Sequence, residues 1–252
     1  MMDARRGLFD EFAIAAGMLT RFPLPAEAAE PGAIASAGWA FPLVGGGVGA
    51  LCAAVFLIAG LLGLPVGPAA LLAVGTGIAA TGALHEDGLA DTADGFGGGD
   101  TRDRKLAIMR DSAHGTYGVA ALVLSVGLRA AAVAAIGGPV FAGLALIAAH
   151  AFSRAVLPAT MLLLNPARTD GLGAAAGRPG RIVAVAAALI GAAVALATLG
   201  PRAGALALLV TGVAVAVAGM LARRQIGGYT GDVLGFFQQI GEIAMLLVAA
   251  AA

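Results

Sequence analysis

The residues best equipped for chemistry lie in one stretch, His85-Glu86-Asp87-Gly88-Leu89-Ala90-Asp91-Thr92-Ala93-Asp94-Gly95, followed by Phe96-Gly97-Gly98-Gly99. Asp87, Asp91 and Asp94 are spaced i, i+4 and i+7, positions that share one face of a helix. Three carboxylates on one stripe repel by roughly a few tenths of a kcal/mol per pair even when exposed, so the pattern asks for a cation. Carboxylate oxygens are hard ligands that suit Mg²⁺ or Mn²⁺ rather than Zn²⁺. The plainer alternative is that acidic residues at a helix start oppose the macrodipole. Three on one stripe, beside a run of glycines, exceed what capping requires.

The next stretch runs from Asp100 to Gly118. Leu106–Met109 reads as a short surface helix. Arg102, Arg104, Lys105 and Arg110 could neutralise phosphates or be ordinary flanking charge. Asp111 precedes a glycine-punctuated turn and is expected to return a fourth carboxylate to the cluster. His114 is either a phosphate contact or a polar loop residue. Metals held by aspartates, with basic residues nearby, are a common means of stabilising charge in phosphoryl transfer. The residues therefore point to metal-assisted transfer on a diphosphate, with Asp87, Asp91, Asp94 and Asp111 as candidate ligands.

The elements that must position these groups are apolar. Of 252 residues, 60% are hydrophobic and 12% charged, and mean hydropathy is +0.93. A water-facing domain carries about twice that share of charge. Formal net charge is zero, so the basic excess of a nucleic-acid binder is missing. Seven runs approach the roughly 20 apolar residues of a membrane span: about 38–63, 66–84, 117–136, 139–164, 182–199, 203–221 and 233–252. The expected fold is all-α, a polytopic membrane bundle of about seven transmembrane helices with a cytoplasmic acidic loop. It forms one domain over 1–252, with an amphipathic interfacial segment at 1–37 and a catalytic segment at 85–116. No cleavable signal peptide is expected. The lone Cys52 gives no redox information.

Charge orients the layout. With the N-terminus cytoplasmic, segments 1–37, 85–116, 165–181 and 222–232 hold twelve of the 15 basic residues; Arg202 lies outside, and Arg129 and Arg154 within spans. That is the positive-inside pattern, and it predicts a multi-pass cytoplasmic (inner) membrane protein whose site faces the cytoplasm. Charges within spans face a cavity or a partner. Arg154 is expected either to pair with Glu242 or to serve function, and Arg129, nearer an outer end, to snorkel. His150 reads as a hydrogen-bonded core residue.

His85–Gly95, together with Ile108-Met109-Arg110-Asp111-Ser112 and Gly115-Thr116-Tyr117-Gly118, resembles the signature of the cobalamin synthase family. Leu19–Pro25, Phe41–Gly45, Ser153-Arg154 with Asp170-Gly171-Leu172-Gly173, and Gly227–Gly235 resemble further motifs in the family's order. Two departures are Glu86, where an apolar residue is usual, and Gln239, where an acidic one is common; neither is assigned metal binding. The resemblance implies an adenosylcobinamide-GDP ribazoletransferase. That activity joins adenosylcobinamide-GDP to α-ribazole or its 5′-phosphate and releases GMP. It also implies Mg²⁺ as cofactor, Asp111 or Asp94 as the acceptor of the hydroxyl proton, and substrate contacts at Arg110, Ser112, His114, Arg154, Asp170, Thr230 and Asp232. Asp232 could otherwise only oppose a helix dipole. Expected partners are these two substrates and the lipid bilayer, without nucleic acid. A second copy of the chain or other cobalamin-assembly enzymes remain open as partners. The rival readings are a CDP-alcohol-type phosphotransferase, whose signature spacing is not reproduced, and a divalent-cation transporter, whose site would lie near the membrane midplane.

Overall fold

The computed structural model describes residues 7–23, 25, 30 and 32–252, and it is helical throughout that range apart from connections. Arg5, Arg6 and Leu24, which the sequence reading used, lie outside the described residues. Leu8–Leu19 (α1) and Ala33–Ser36 (α2) lead through a 3₁₀ turn, Ala37–Ala40, into α3, Phe41–Leu61. Then come α4 (Val66–Thr81), α5 (Leu84–Gly98), α6 (Arg102–Ile108), α7 (Thr116–Ala135) and α8 (Pro139–Ala155). The chain ends with α9 (Leu157–Leu163), α10 (Leu172–Ala175), α11 (Arg181–Leu199), α12 (Pro201–Ile226) and α13 (Gly231–Ala251). Among the described residues, six helices are long and apolar enough to cross a membrane, or seven if α4 with α5 counts as one bent span. The protein is thus a polytopic all-α membrane protein.

Local chemistry sets the ends. Prolines stand in the first turns of α3, α8 and α12, where the missing N–H has no intrahelical partner to lose. Gly82 and Gly227 close α4 and α12 in the left-handed conformation, which glycine adopts without a Cβ clash. Thr230 caps α13 by accepting the Val233 N–H at 3.3 Å.

Small residues set the packing. A Cβ on Gly49 of α3 would sit 2.7 Å from the Leu146 carbonyl of α8, and Gly45 abuts His150. Such backbone contact is how membrane helices associate without a hydrophobic drive between them. α13 packs against α5, α7, α8 and α12. Ile182, Leu189, Leu209 and Val213 remain exposed on α11 and α12, as lipid-facing surface does.

A polar network ties the bundle together. Arg129 of α7 is 2% exposed and lies 3.0 Å from both Glu86 of α5 and Glu242 of α13. Arg154 lies 3.6 Å from the same Glu242 and its guanidinium bonds His150. The expected pairing of Arg154 with Glu242 is present, and His150 is the expected core histidine. Arg129 does not snorkel: two buried carboxylates hold it inside the bundle.

The acidic segment differs from expectation. It is not a loop but the 15-residue helix α5, set at 91° to α4. α4 carries the apolar part of this bent pair, and the acidic stripe lies on α5, beyond the break. The glycines that suggested a loop give α5 a flat side. A Cβ on Gly88 would stand 2.6 Å from the Asp232 carbonyl, so α5 lies backbone to backbone against α13. The short helix expected at 106–109 is α6, four residues earlier. Its basic residues anchor it: Arg102 donates to the Ile226 carbonyl at 2.9 Å and to the Ala167 carbonyl, and Lys105 donates to Gln225.

Candidate active site

The stripe on α5 sinks steadily into the protein. The Asp87 and Asp91 side chains are 64% and 14% exposed, and Asp94 is 7% exposed. Each carboxylate therefore has a different job. Asp94 accepts the Gly115 N–H at 2.7 Å and the Gly118 N–H at 2.9 Å. Those are the N-cap and third residues of α7, and Gly115 has no side chain with which to cap it. Asp94 supplies from α5 the cap that α7 lacks, and its charge opposes the macrodipole. Both of its oxygens are engaged.

This docking brings His114 over the other two carboxylates, with Nε2 3.7 Å from Asp87 Oδ1 and Nδ1 3.5 Å from Asp91 Oδ1. One ligand atom from each of Asp87, Asp91 and His114 lies within 4.8 Å of the others. Burial, then the charges of Asp87 and Asp232, push the Asp91 carboxyl from its ordinary 3.8 up to about 6 against the pull of His114. A carboxyl driven toward neutrality by its neighbours marks a site short of positive charge. The donor set fits a divalent cation such as Mg²⁺: two hard carboxylates converge, and the imidazole is within reach of both.

The start of α13 forms the opposite wall. Thr230 donates to Asp232 Oδ2 at 3.0 Å while capping the helix. Arg168 Nη2 bonds the same oxygen at 3.4 Å, and its Nη1 is buried without a partner. Asp87, Arg168 and Asp232 line a cavity of about 250 Å³ whose other walls are mostly apolar.

The remaining expected residues stand apart. Arg110 and Asp170 form an exposed ion pair at 2.7 Å, on the loops before α7 and before α10. Asp111 is exposed and accepts the Ala113 N–H at 3.1 Å, and it is not one of the converging ligands. Ser112 is exposed on the same loop. Arg154 does not line the cavity; it is 1% exposed in the core network. Arg168 was the residue that sequence reasoning passed over. Its signal was a lone arginine two positions before Asp170-Gly171. The three segments expected on one membrane face do meet: Arg102 of 85–116 bonds Ala167 and Ile226, and Tyr229 N–H bonds the Asn165 carbonyl.

Fold and site together define an integral membrane helical bundle with an acidic cluster beside a cavity. The model of the family described as cobalamin-5-phosphate synthase matches residues 11–250. An adenosylcobinamide-GDP ribazoletransferase of Bradyrhizobium diazoefficiens is 54% identical over 248 residues, covering 98% of this chain and 95% of that protein. One from Mesorhizobium japonicum is 48% identical over 247 residues, covering 98% and 95%. One from Azorhizobium caulinodans is 49% identical over 238 residues, covering 90% of each. No solved structure matches. The chain belongs to the cobalamin-5-phosphate synthase family.

Proposed function

We propose that this protein is an adenosylcobinamide-GDP ribazoletransferase of the inner membrane. It joins adenosylcobinamide-GDP to α-ribazole or its 5′-phosphate, releases GMP, and works on the cytoplasmic face. The observation that carries this reading is the convergence of Asp87, Asp91 and His114 beside Arg168 and Asp232 at one cavity. A diphosphate needs that mixture of cation-holding carboxylates and fixed positive charge. The cytoplasmic orientation rests on the bias of basic residues toward the segments that meet around this site.

Mg²⁺ held by Asp87 and Asp91 would neutralise the diphosphate and the charge that grows on the leaving GMP. The chain's own residues do the rest. Arg168, which lines the cavity, offers its guanidinium to a phosphate or ribose oxygen. Arg110, exposed beside the cluster's loop, can exchange Asp170 for a phosphate of the donor. The acceptor hydroxyl oxygen bonds to the corrinoid-side phosphorus as the bond from that phosphorus to the GMP oxygen breaks. Its proton passes to a carboxylate. We do not assign it to Asp94, both of whose oxygens already accept backbone N–H groups. Asp111 keeps Oδ2 uncommitted, and we assign the proton to it. Apolar walls around the acceptor favour the hydroxyl over water as nucleophile.

The test is purified protein in detergent with both substrates, with and without Mg²⁺, following GMP. GMP release that requires both substrates and Mg²⁺ supports the reading. No GMP from the complete mixture overturns it.

A further inference from the structure

The cavity beside the cluster has a composition that selects between the two substrates. Met18 and Leu19 of α1, Phe41 of α3, and Leu157 and Met161 of α9 supply an apolar wall. Polar side chains enter it from four lining residues, His85, Asp87, Arg168 and Asp232. Its volume of about 250 Å³ is below the roughly 300–1,000 Å³ of sites that take drug-sized ligands. A corrin ring with its fringe of amides is too large and too polar to enter. Guanine presents several donors and acceptors along its edge, and an apolar wall would leave them unpaired. A dimethylbenzimidazole ring is small, flat and apolar, with a single free acceptor nitrogen once its other nitrogen carries the ribose.

His85 matches that one acceptor. It is 3% exposed and lines the cavity. Its ring nitrogens hydrogen-bond to no protein group among the described residues. A buried imidazole with no protein partner takes one from water or from a ligand that displaces it. Arg168 is a second donor among the lining residues, with Nη1 buried and unpartnered beside the cavity.

We infer that this cavity is the subsite for the acceptor nucleoside, with the benzimidazole ring between the α1 and α9 side chains, His85 donating to its imine nitrogen and Arg168 holding the ribose end. The adenosylcobinamide-GDP donor then lies on the open side of the cluster, where Asp87 and Arg110 are exposed. The assignment of this ligand rests on the proposed function, but its binding can be measured without turnover.

The experiment is a cycle of calorimetric titrations on the full-length protein in detergent without donor. The ligands are α-ribazole and its 5,6-dimethylindole riboside analogue, which replaces the acceptor nitrogen by C–H. The proteins are wild type, His85→Leu and His85→Gln. Wild type should bind α-ribazole about tenfold or more tightly than the analogue, because the analogue leaves His85 unpaired. His85→Leu should bind both equally, and His85→Gln, which keeps a donor, should recover part of the preference. Met161→Ala should weaken both ligands alike. In turnover, His85→Leu should raise KM for α-ribazole and leave KM for adenosylcobinamide-GDP within about twofold. Equal binding of the two ligands by wild type overturns the inference, even if His85→Leu fails to fold. A loss in His85→Leu that falls on the donor's KM overturns it too. Absence of GMP release with intact α-ribazole binding would instead remove the proposed reaction and leave the subsite standing.

Discussion

Asp94 and Asp91 sit three residues apart on one stripe, yet their substitution should move stability in opposite directions. Asp94 accepts two backbone N–H bonds, at 2.7 and 2.9 Å, while 7% exposed. Hydrogen bonds to a charged group contribute about 1.5–3 kcal/mol each. In Asp94→Ala the Gly115 N–H is partly reachable by water, but the Gly118 N–H is buried and loses its partner outright. The expected loss is about 3 kcal/mol. Asp91 makes no hydrogen bond of this kind and is crowded by Asp87 and Asp232, which with burial carry its carboxyl from 3.8 to about 6. A raised carboxyl pKa means that the ionised form is disfavoured in the folded state, so Asp91→Asn should stabilise the metal-free protein at pH 7.5. The full shift corresponds to about 3 kcal/mol; water screening of a partly accessible carboxyl reduces that to about 1 kcal/mol. Cys52, the sole cysteine and buried, is a built-in reporter: a thiol-reactive dye labels it as the bundle opens. Thermal unfolding in detergent with EDTA should show Asp94→Ala melting well below wild type and Asp91→Asn above it. Asp94→Ala melting with wild type, or Asp91→Asn below it, would refute the division of labour along the stripe.

Other outcomes follow from the same contacts. Gly88→Ala places a Cβ 2.6 Å from the Asp232 carbonyl; prising α5 from α13 should cut GMP release by at least about tenfold with Mg²⁺ affinity weakened, and near-normal turnover would show that the crossing tolerates displacement. Arg129→Leu leaves Glu86 and Glu242 buried without their shared cation, and should destabilise by about 3–5 kcal/mol in the Cys52 labelling assay. Mg²⁺ and adenosylcobinamide-GDP should each tighten the other's binding by the same factor in calorimetry, because their coupling is reciprocal; unchanged Mg²⁺ affinity together with Mg²⁺ flux into proteoliposomes would favour a transporter. An engineered cysteine at Gly98 should resist an impermeant reagent applied to intact cells, and labelling from outside would reverse the orientation.

The spans were legible because each is a run of apolar residues and the bilayer sets their length; all seven runs correspond to helices. The spacing of Asp87, Asp91 and Asp94 likewise announced a helix face, but segmentation by hydropathy placed that face in a loop. What hydropathy cannot see is small size. Gly88 and Gly95 bring α5 against α13 and α6, so a polar helix is held by backbone contact rather than by apolar side chains. The same blindness hid the division of the stripe. Period alone puts Asp94 beside Asp91, and only the uncapped start of α7, at Gly115, explains why Asp94 turns away from the cluster. Glu86 and Gln239 stand in the sequence as two separate departures from the resembled pattern. Gln239 Nε2 donates to Glu86 Oε1 at 3.1 Å, and Glu86 in turn pairs with Arg129 at 3.0 Å, so the two positions are one contact. The Glu86 carboxylate on α5 faces the same arginine as Glu242 does from α13. Its presence on α5 makes the residue next to Asp87 the anchor of the acidic helix, and ties the position of the acidic stripe to charges deep in the bundle.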